Sequence, residues 1–115
     1  MKISVIIPTF NSAKTLGDTL KSIVGQNWSD LEIIIQDGGS TDDTKAIVAK
    51  YPEAISGWQS APDNGIYDAM NKGISRSTGG IIAILNSDDM WLPNTLERVA
   101  ATFLRNPDVG IVSGS

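Results

Sequence analysis

The chain has 115 residues, 41% apolar and 19% charged, with a net charge of −4 and a sequence pI of about 4.5. That composition suits one globular domain with its own core, and it excludes a disordered tail or a surface built to neutralise nucleic-acid phosphates. Cysteine and histidine are both absent, which excludes disulfides, thiolate nucleophiles and imidazole-held zinc or copper; any metal must be held by oxygen, pointing to Mg²⁺, Mn²⁺ or Ca²⁺.

Met1-Lys2 leads directly into Ile3–Ile7, a β-branched, nearly continuous apolar run of the kind found in strands buried on both faces, with Pro8 expected to stop it. Asn11 or Ser12 is placed to cap a helix carrying Leu16, Leu20, Ile23 and Val24 on one face. Leu31–Ile35 reads as a second buried strand, running into the turn Gln36-Asp37-Gly38-Gly39. Ser40-Thr41-Asp42-Asp43 then has the form of a helix start, with Ile47 and Val48 anchoring a short helix up to Tyr51-Pro52.

Ile55–Ser60 is a weaker strand, followed by the loop Ala61-Pro62-Asp63-Asn64-Gly65 and a helix with Ile66, Met70 and Ile74 on one stripe. Thr78-Gly79-Gly80 ends that helix and Ile81–Leu85 forms another fully apolar strand. After Asn86-Ser87-Asp88-Asp89, Pro93 suits the first turn of a helix bearing Leu96, Val99, Ala100, Phe103 and Leu104 at helical spacing. Asn106-Pro107 breaks it, and Val109–Val112 begins a last strand. Alternating strands and helices imply an α/β fold, a mainly parallel open sheet with helices on both faces. Nothing follows the last strand to cover it, so residues 1–115 read as part of a longer protein. The start is too short for a signal peptide and no apolar run approaches a membrane span, so a soluble cytoplasmic domain is expected.

In open parallel sheets ligands bind beyond the carboxyl ends of the strands. Here those ends carry Pro8-Thr9-Phe10-Asn11, Asp37-Gly38-Gly39-Ser40, the Ser60–Asp63 region and Asn86-Ser87-Asp88-Asp89. Asn11, Ser12, Thr41 and Asp42 are explained equally well as caps. Two adjacent carboxylates after a buried strand repel each other unless a cation or donors compensate, and a divalent ion that also bridges two phosphate oxygens would do so. Asp88 and Asp89 are therefore a candidate site for a metal and a nucleotide diphosphate; the alternative is an ordinary turn with acids near a helix N-terminus. Asp37 can accept a hydrogen bond from a base or ribose. Trp28, Trp58 and Trp91 could stack on a base or sugar but fit packing roles better, and Lys72 and Arg76 fit a solvated face better than phosphate contacts. No G-x-G-x-x-G follows the first strand and no G-x-x-x-x-G-K-[ST] occurs, which argues against a dinucleotide dehydrogenase and a P-loop NTPase. A receiver-type phosphoacceptor domain would want its acidic pair after the first strand, where this chain has Pro8-Thr9-Phe10-Asn11.

Taken together, Ser4–Asn11, Asp37-Gly38-Gly39-Ser40-Thr41-Asp42 and Asn86-Ser87-Asp88-Asp89 resemble the family 2 inverting glycosyltransferases of GT-A fold. Asp63-Asn64-Gly65-Ile66-Tyr67-Asp68-Ala69-Met70-Asn71-Lys72-Gly73-Ile74 looks like the branch that builds bacterial surface polysaccharides. The resemblance runs the whole length of the chain, and it implies the Rossmann-like nucleotide-binding half of such an enzyme. It implies that Pro8, Thr9, Asn11, Asp37 and Gly39 line a nucleotide pocket, that Asp88 faces the ribose or diphosphate, and that Asp89 ligates Mn²⁺ or Mg²⁺. The expected donor is a nucleotide-diphosphate sugar, a UDP-sugar in the first instance, and the expected acceptor a saccharide or lipid-linked group, with room for peripheral membrane association of a full-length enzyme. Two departures stand out: many members have an acid where this chain has Gly38, and many have one where Gly80 stands. The acceptor site and the general base belong to a further half in that family, so no catalytic base is assigned here. The other readings left open are a non-catalytic nucleotide-binding module and an α/β interaction domain whose acidic loops are only caps.

Overall fold

The structure, a computed structural model, describes residues 2–105 and 111–114, with residues 103–105 and 111–114 described through their backbone only. Five strands alternate with four helices: β1 Ile3–Thr9, α1 Leu16–Val24, β2 Leu31–Asp37, α2 Thr44–Val48, β3 Ile55–Ser60, α3 Ile66–Arg76, β4 Ile81–Leu85, α4 Thr95–Arg105 and β5 Ile111–Gly114. All neighbouring strands pair in parallel, in the order β3-β2-β1-β4-β5. The α/β parallel sheet expected from the alternation is thus present, with β1 at its centre.

Side-chain alternation along β1 decides which helix packs where. Ile3, Val5 and Ile7 point to one face, where they meet Leu16, Leu20 and Ile23 of α1 together with Leu96 and Val99 of α4. Ile6 points to the other face and joins Ile34, Ile84, Met70 and Ile74 beneath α3. On that side α3 lies so close that a Cβ built on Gly73 would come within 2.4 Å of Ile6 Cγ2. Only glycine allows this separation, and the absent side chain lets α3 sit directly on the sheet. Trp91 is buried, and Trp28 and Trp58 are partly buried, all three packed against the larger cluster. They are packing residues, the role favoured for them above.

Pro8 does not end the first strand, which continues to Thr9 with Pro8 opposite Gln36 and Thr9 opposite Asp37. The β1–β4 ladder reaches only Ile6 opposite Ile84. Past that point β1 has one ladder neighbour, and a residue lacking an N–H is tolerated as it would be on an edge strand. The helix starts also differ from expectation. Helix α1 begins at Leu16, with Thr15 rather than Asn11 or Ser12 in the cap position. Asn11 takes a positive φ of 48° and Ser12 supplies its carbonyl to the N–H groups of Thr15 and Leu16. Helix α4 begins at Thr95, just past Pro93. The expected break at Asn106-Pro107 lies outside the described residues, as does the start of the strand expected at Val109–Val112, whose described part is Ile111–Gly114. No helix among the described residues is long and apolar enough to cross a membrane.

Candidate functional site

The chain winds from β1 outward through β2 to β3, then returns to the other side of β1 as β4. Where strand order reverses in this way, the loops after the two central strands diverge and leave a crevice. A cavity of about 730 Å³ lies there, lined by Pro8, Thr9, Phe10, Asn11, Ser12 and Thr15 from the β1 side, Asn86, Ser87 and Asp88 after β4, and Gly38, Asp63, Gly65, Ile66 and Ala69. A volume of this order accommodates a drug-sized or nucleotide-sized ligand.

Of the residues expected from the sequence, the structure brings Pro8, Thr9, Asn11 and Asp88 to the cavity wall. Asp37, Gly39 and Asp89 do not line it. Asp37 is 1% exposed and is encircled by donors. Its Oδ1 accepts from Thr9 Oγ1 at 2.6 Å and from Ser40 Oγ, and its Oδ2 accepts from Gly39 N at 3.1 Å, Ser40 N at 2.7 Å and Ser60 Oγ at 2.8 Å. A carboxylate offers roughly four lone-pair sites, so these partners leave no capacity for a base or ribose. The physical role of Asp37 is to tie the carboxyl ends of β1, β2 and β3 together. Burial pushes its pKa up, but the hydrogen bonds from Ser40, Thr9 and Ser60 outweigh that and hold it below the usual aspartate value.

The loop after β1 is fastened to the loop after β2 by side chains that could otherwise have been taken as ligand contacts. Asn11 Oδ1 accepts from Thr41 N at 2.8 Å, Asn11 N donates to Ser40 Oγ at 2.8 Å, and Ser12 N donates to Thr44 Oγ1 at 2.8 Å. Asp42 accepts from Ala13 N at 3.1 Å and from Thr44 N at 3.0 Å. Asp42 and Asn11 thus act as local caps and braces. Lys72 pairs with Asp68 one turn earlier at 3.1 Å, and Arg76 Nη1 donates to the buried Gln36 Oε1 at 2.9 Å, so neither cation reaches the cavity.

Asp88 is presented by a second set of braces. Thr15, Thr19, Ser22 and Gln26 form one polar stripe at helical spacing along and just beyond α1. Thr15 Oγ1 donates to Ser87 O at 2.8 Å. The single proton of the buried Thr19 hydroxyl has three carbonyls in reach: Thr15 O at 3.3 Å and, closer, Ser87 O at 2.9 Å and Asp89 O at 2.6 Å, the carbonyls on either side of Asp88. Ser22 Oγ accepts from Trp91 N at 3.0 Å, while Gln26 takes Leu96 N at 3.1 Å and donates to Leu92 O at 2.9 Å. Asp89 is held by its backbone, its N–H donating to Asn86 O at 3.1 Å, and Asp88 is the acid left exposed at the cavity. Removing the Thr19 hydroxyl while keeping its shape should loosen this loop. Thr19→Val is expected to destabilise the chain by about 1–2 kcal/mol, with Thr19→Ser restoring most of the loss, read from the urea midpoints of both variants.

One polar atom in this region has no partner. Asn86 Oδ1 is buried, and no donor reaches it among the described residues. An unsatisfied buried acceptor costs about 1–3 kcal/mol, and this one stands two residues from Asp88 on the same cavity wall. A carbonyl-type oxygen and a carboxylate are hard donors of the kind Mg²⁺ and Mn²⁺ take. Among the described residues no group of three or more Asp, Glu, His or Cys side chains could hold a metal unaided. An ion held by one or two protein oxygens and completed by phosphate and water is the usual Mg²⁺ arrangement at nucleotide sites.

A family model described as Glycosyl transferase family 2 matches residues 4–115. The chain belongs to that family. It is 36% identical over 121 residues to an uncharacterized glycosyltransferase of Nostoc sp., an alignment covering 97% of this chain and 36% of that protein. Its fold matches Staphylococcus aureus TarS 1–349 in complex with UDP-GlcNAc, with a TM-score of 0.85 and 29% identity over 93% of this chain and 32% of that one. It also matches the mannosyltransferase PcManGT from Pyrobaculum calidifontis in complex with GDP-Man and Mn²⁺, with a TM-score of 0.82 and 28% identity, covering 94% of this chain and 33% of the other. The chain spans about a third of the length of each of these relatives.

The sequence reading of this family 2 chain placed Phe10, Asp63 and Asn86 at the ligand-binding ends of the strands but gave none of them a role in the site. Phe10 is 63% exposed on the wall, an unusual position for an aromatic ring, and its place directly after the first strand was a usable signal. Asn86 was passed over in favour of the two acids beside it. Asp63 lies far from the other motifs in sequence, and only the fold carries it to Gly38.

Proposed function

We propose that this chain is the donor-binding part of an inverting glycosyltransferase that takes a nucleotide-diphosphate sugar, with Asp88, not Asp89, as the carboxylate at the metal and diphosphate. The observation that carries this reading is the exposed Asp88 carboxylate beside the unpartnered Asn86 oxygen on one wall of the cavity. Asp88 and Asn86 would hold Mn²⁺ or Mg²⁺, whose chemistry is to offset charge on a departing diphosphate. Phe10 offers an exposed ring against which a planar base can lie. Pro8, Thr9 and Asn11 shape the wall between them, with Thr9 and Asn11 held rigid by their own hydrogen bonds. Binding of UDP-GlcNAc by one structural relative, and of GDP-Man with Mn²⁺ by another, supports the ligand class.

On this reading a saccharide or lipid-linked acceptor and the general base that deprotonates it are supplied outside the residues described, in an enzyme of polysaccharide synthesis working at the cytoplasmic side of a membrane. The test is calorimetric titration of the folded chain with UDP and with GDP, each with and without Mn²⁺. Metal-dependent binding of at least one is expected. Metal-independent binding, or no binding by a demonstrably folded sample, overturns the reading and favours a non-catalytic module.

A further inference from the structure

The β3–α3 loop brings a carboxylate to a place where Gly38, the first residue after β2, has no side chain. A Cβ built on Gly38 would come within 2.8 Å of Asp63 Oδ2 and within 3.2 Å of its Cγ and Oδ1. The Asp63 carboxylate therefore fills the volume that a residue at position 38 would otherwise occupy, and both residues line the cavity. Its Oδ1 accepts from Gly65 N at 3.0 Å, which fixes the side chain at the head of α3. Among the described residues no donor reaches Oδ2, the oxygen nearer Gly38. The backbone beneath is equally set: Gly38 N donates to Thr9 O at 2.9 Å, and Gly39, at φ 91°, passes beside Pro62.

We propose that Asp63 selects the nucleoside by accepting the imino N–H of its base. This rests on the donor-binding role proposed above. Asp88 stands beyond β4, and Gly38 with Asp63 beyond β2 and β3, so the two acids lie two to three strand spacings apart, roughly 10–14 Å. A nucleotide whose diphosphate is held at Asp88 must extend across the end of β1, past the exposed Phe10, and present its far edge to Asp63. A carboxylate there has no proton to give. It can pair with an edge that offers a ring N–H, as uracil and guanine do, and leaves the unprotonated ring nitrogen of cytosine without a donor. A site built around one hydrogen bond rejects the ligand that cannot make it.

The test is calorimetry in the presence of Mn²⁺ with UDP, GDP, CDP and 2′-deoxy-UDP. The native chain should bind UDP or GDP well ahead of CDP. Asp63→Ala should weaken the preferred ligand about ten- to a hundredfold, the range for a hydrogen bond to a charged group. Asp63→Asn, whose amide still accepts from Gly65 N and can donate to cytosine, should narrow the gap to CDP. Gly38→Ala should reproduce the Asp63→Ala loss, with no further loss in the double variant. Metal-dependent UDP and GDP binding that Asp63→Ala leaves unchanged overturns this proposal while sparing the donor-binding reading; absence of any binding by the folded native chain overturns both. A penalty that vanishes with 2′-deoxy-UDP places the contact on the ribose and also overturns base selection.

Discussion

Asp88→Ala should abolish Mn²⁺-dependent binding of nucleoside diphosphate, lowering affinity by about a hundredfold or more, whereas Asp89→Ala should change it by no more than about twofold. The two acids are adjacent in sequence and opposite in circumstance. Asp88 is exposed on the cavity wall two residues from the unpartnered Asn86 oxygen, while Asp89 contributes backbone atoms to a turn braced by Thr19. Loss of even an outer partner of a metal ligand typically costs about ten- to a hundredfold, so if Asp88 is the ligand proposed above, its loss should cost at least that much. The measurement is titration of each variant with Mn²⁺ present and with chelator, after circular dichroism establishes that both fold. Equal losses from the two variants, or a larger loss from Asp89→Ala, would return the metal to Asp89.

The second large effect is on stability. Asp37→Ala should destabilise the chain by about 3 kcal/mol or more, because two backbone N–H groups and three hydroxyls lose a buried, charged acceptor together. That is a large share of the roughly 5–15 kcal/mol available to a domain. It should appear as a lower urea midpoint at neutral pH. The pH dependence has a definite sign. The folded Asp37 carboxyl is held below the ordinary value, so its contribution is complete above the unfolded pKa of about 3.9 and is lost as pH falls through the lower folded one. Glu32 acts in the same direction: burial raises its pKa, but hydrogen bonds from Thr78 and Ser4 and the charge of Lys2 bring it below normal. Native stability should fall below about pH 4, and Asp37→Asn should show a shallower acid slope. An unchanged slope in that variant would mean that Asp37 is not the group responsible.

Much of the architecture was open to inspection in the sequence because its signals are local. Ile3–Ile7, Leu31–Ile35 and Ile81–Leu85 are apolar on both faces, which only strands covered on both sides can bury, and the intervening segments carry one apolar stripe each. Parallel pairing, helices on both faces and a site at the carboxyl ends of the strands follow from that pattern. The absence of His and Cys likewise restricted any metal to oxygen donors. Element ends were less legible. Whether Pro8 stops a strand depends on whether a neighbour needs its N–H, and that depends on how far the β1–β4 ladder extends.

Which of the acidic side chains stays free toward the cavity is decided by tertiary contacts. By residue type alone Asp37, Asp88 and Asp89 are equivalent carboxylates on loops near a binding edge. Five donors from three segments consume Asp37, the hydroxyl stripe of α1 draws the Asp89 backbone inward, and Asp88 is left facing the cavity. Asp63 shows the same limit from the other side, since its position over Gly38 comes from a loop 25 residues further along the chain. Local periodicity determines which segments become strands and helices, because it is set by neighbours within a turn or two. Which oxygen remains free for a ligand depends on every donor the fold brings within hydrogen-bonding distance, and only the packed chain specifies those.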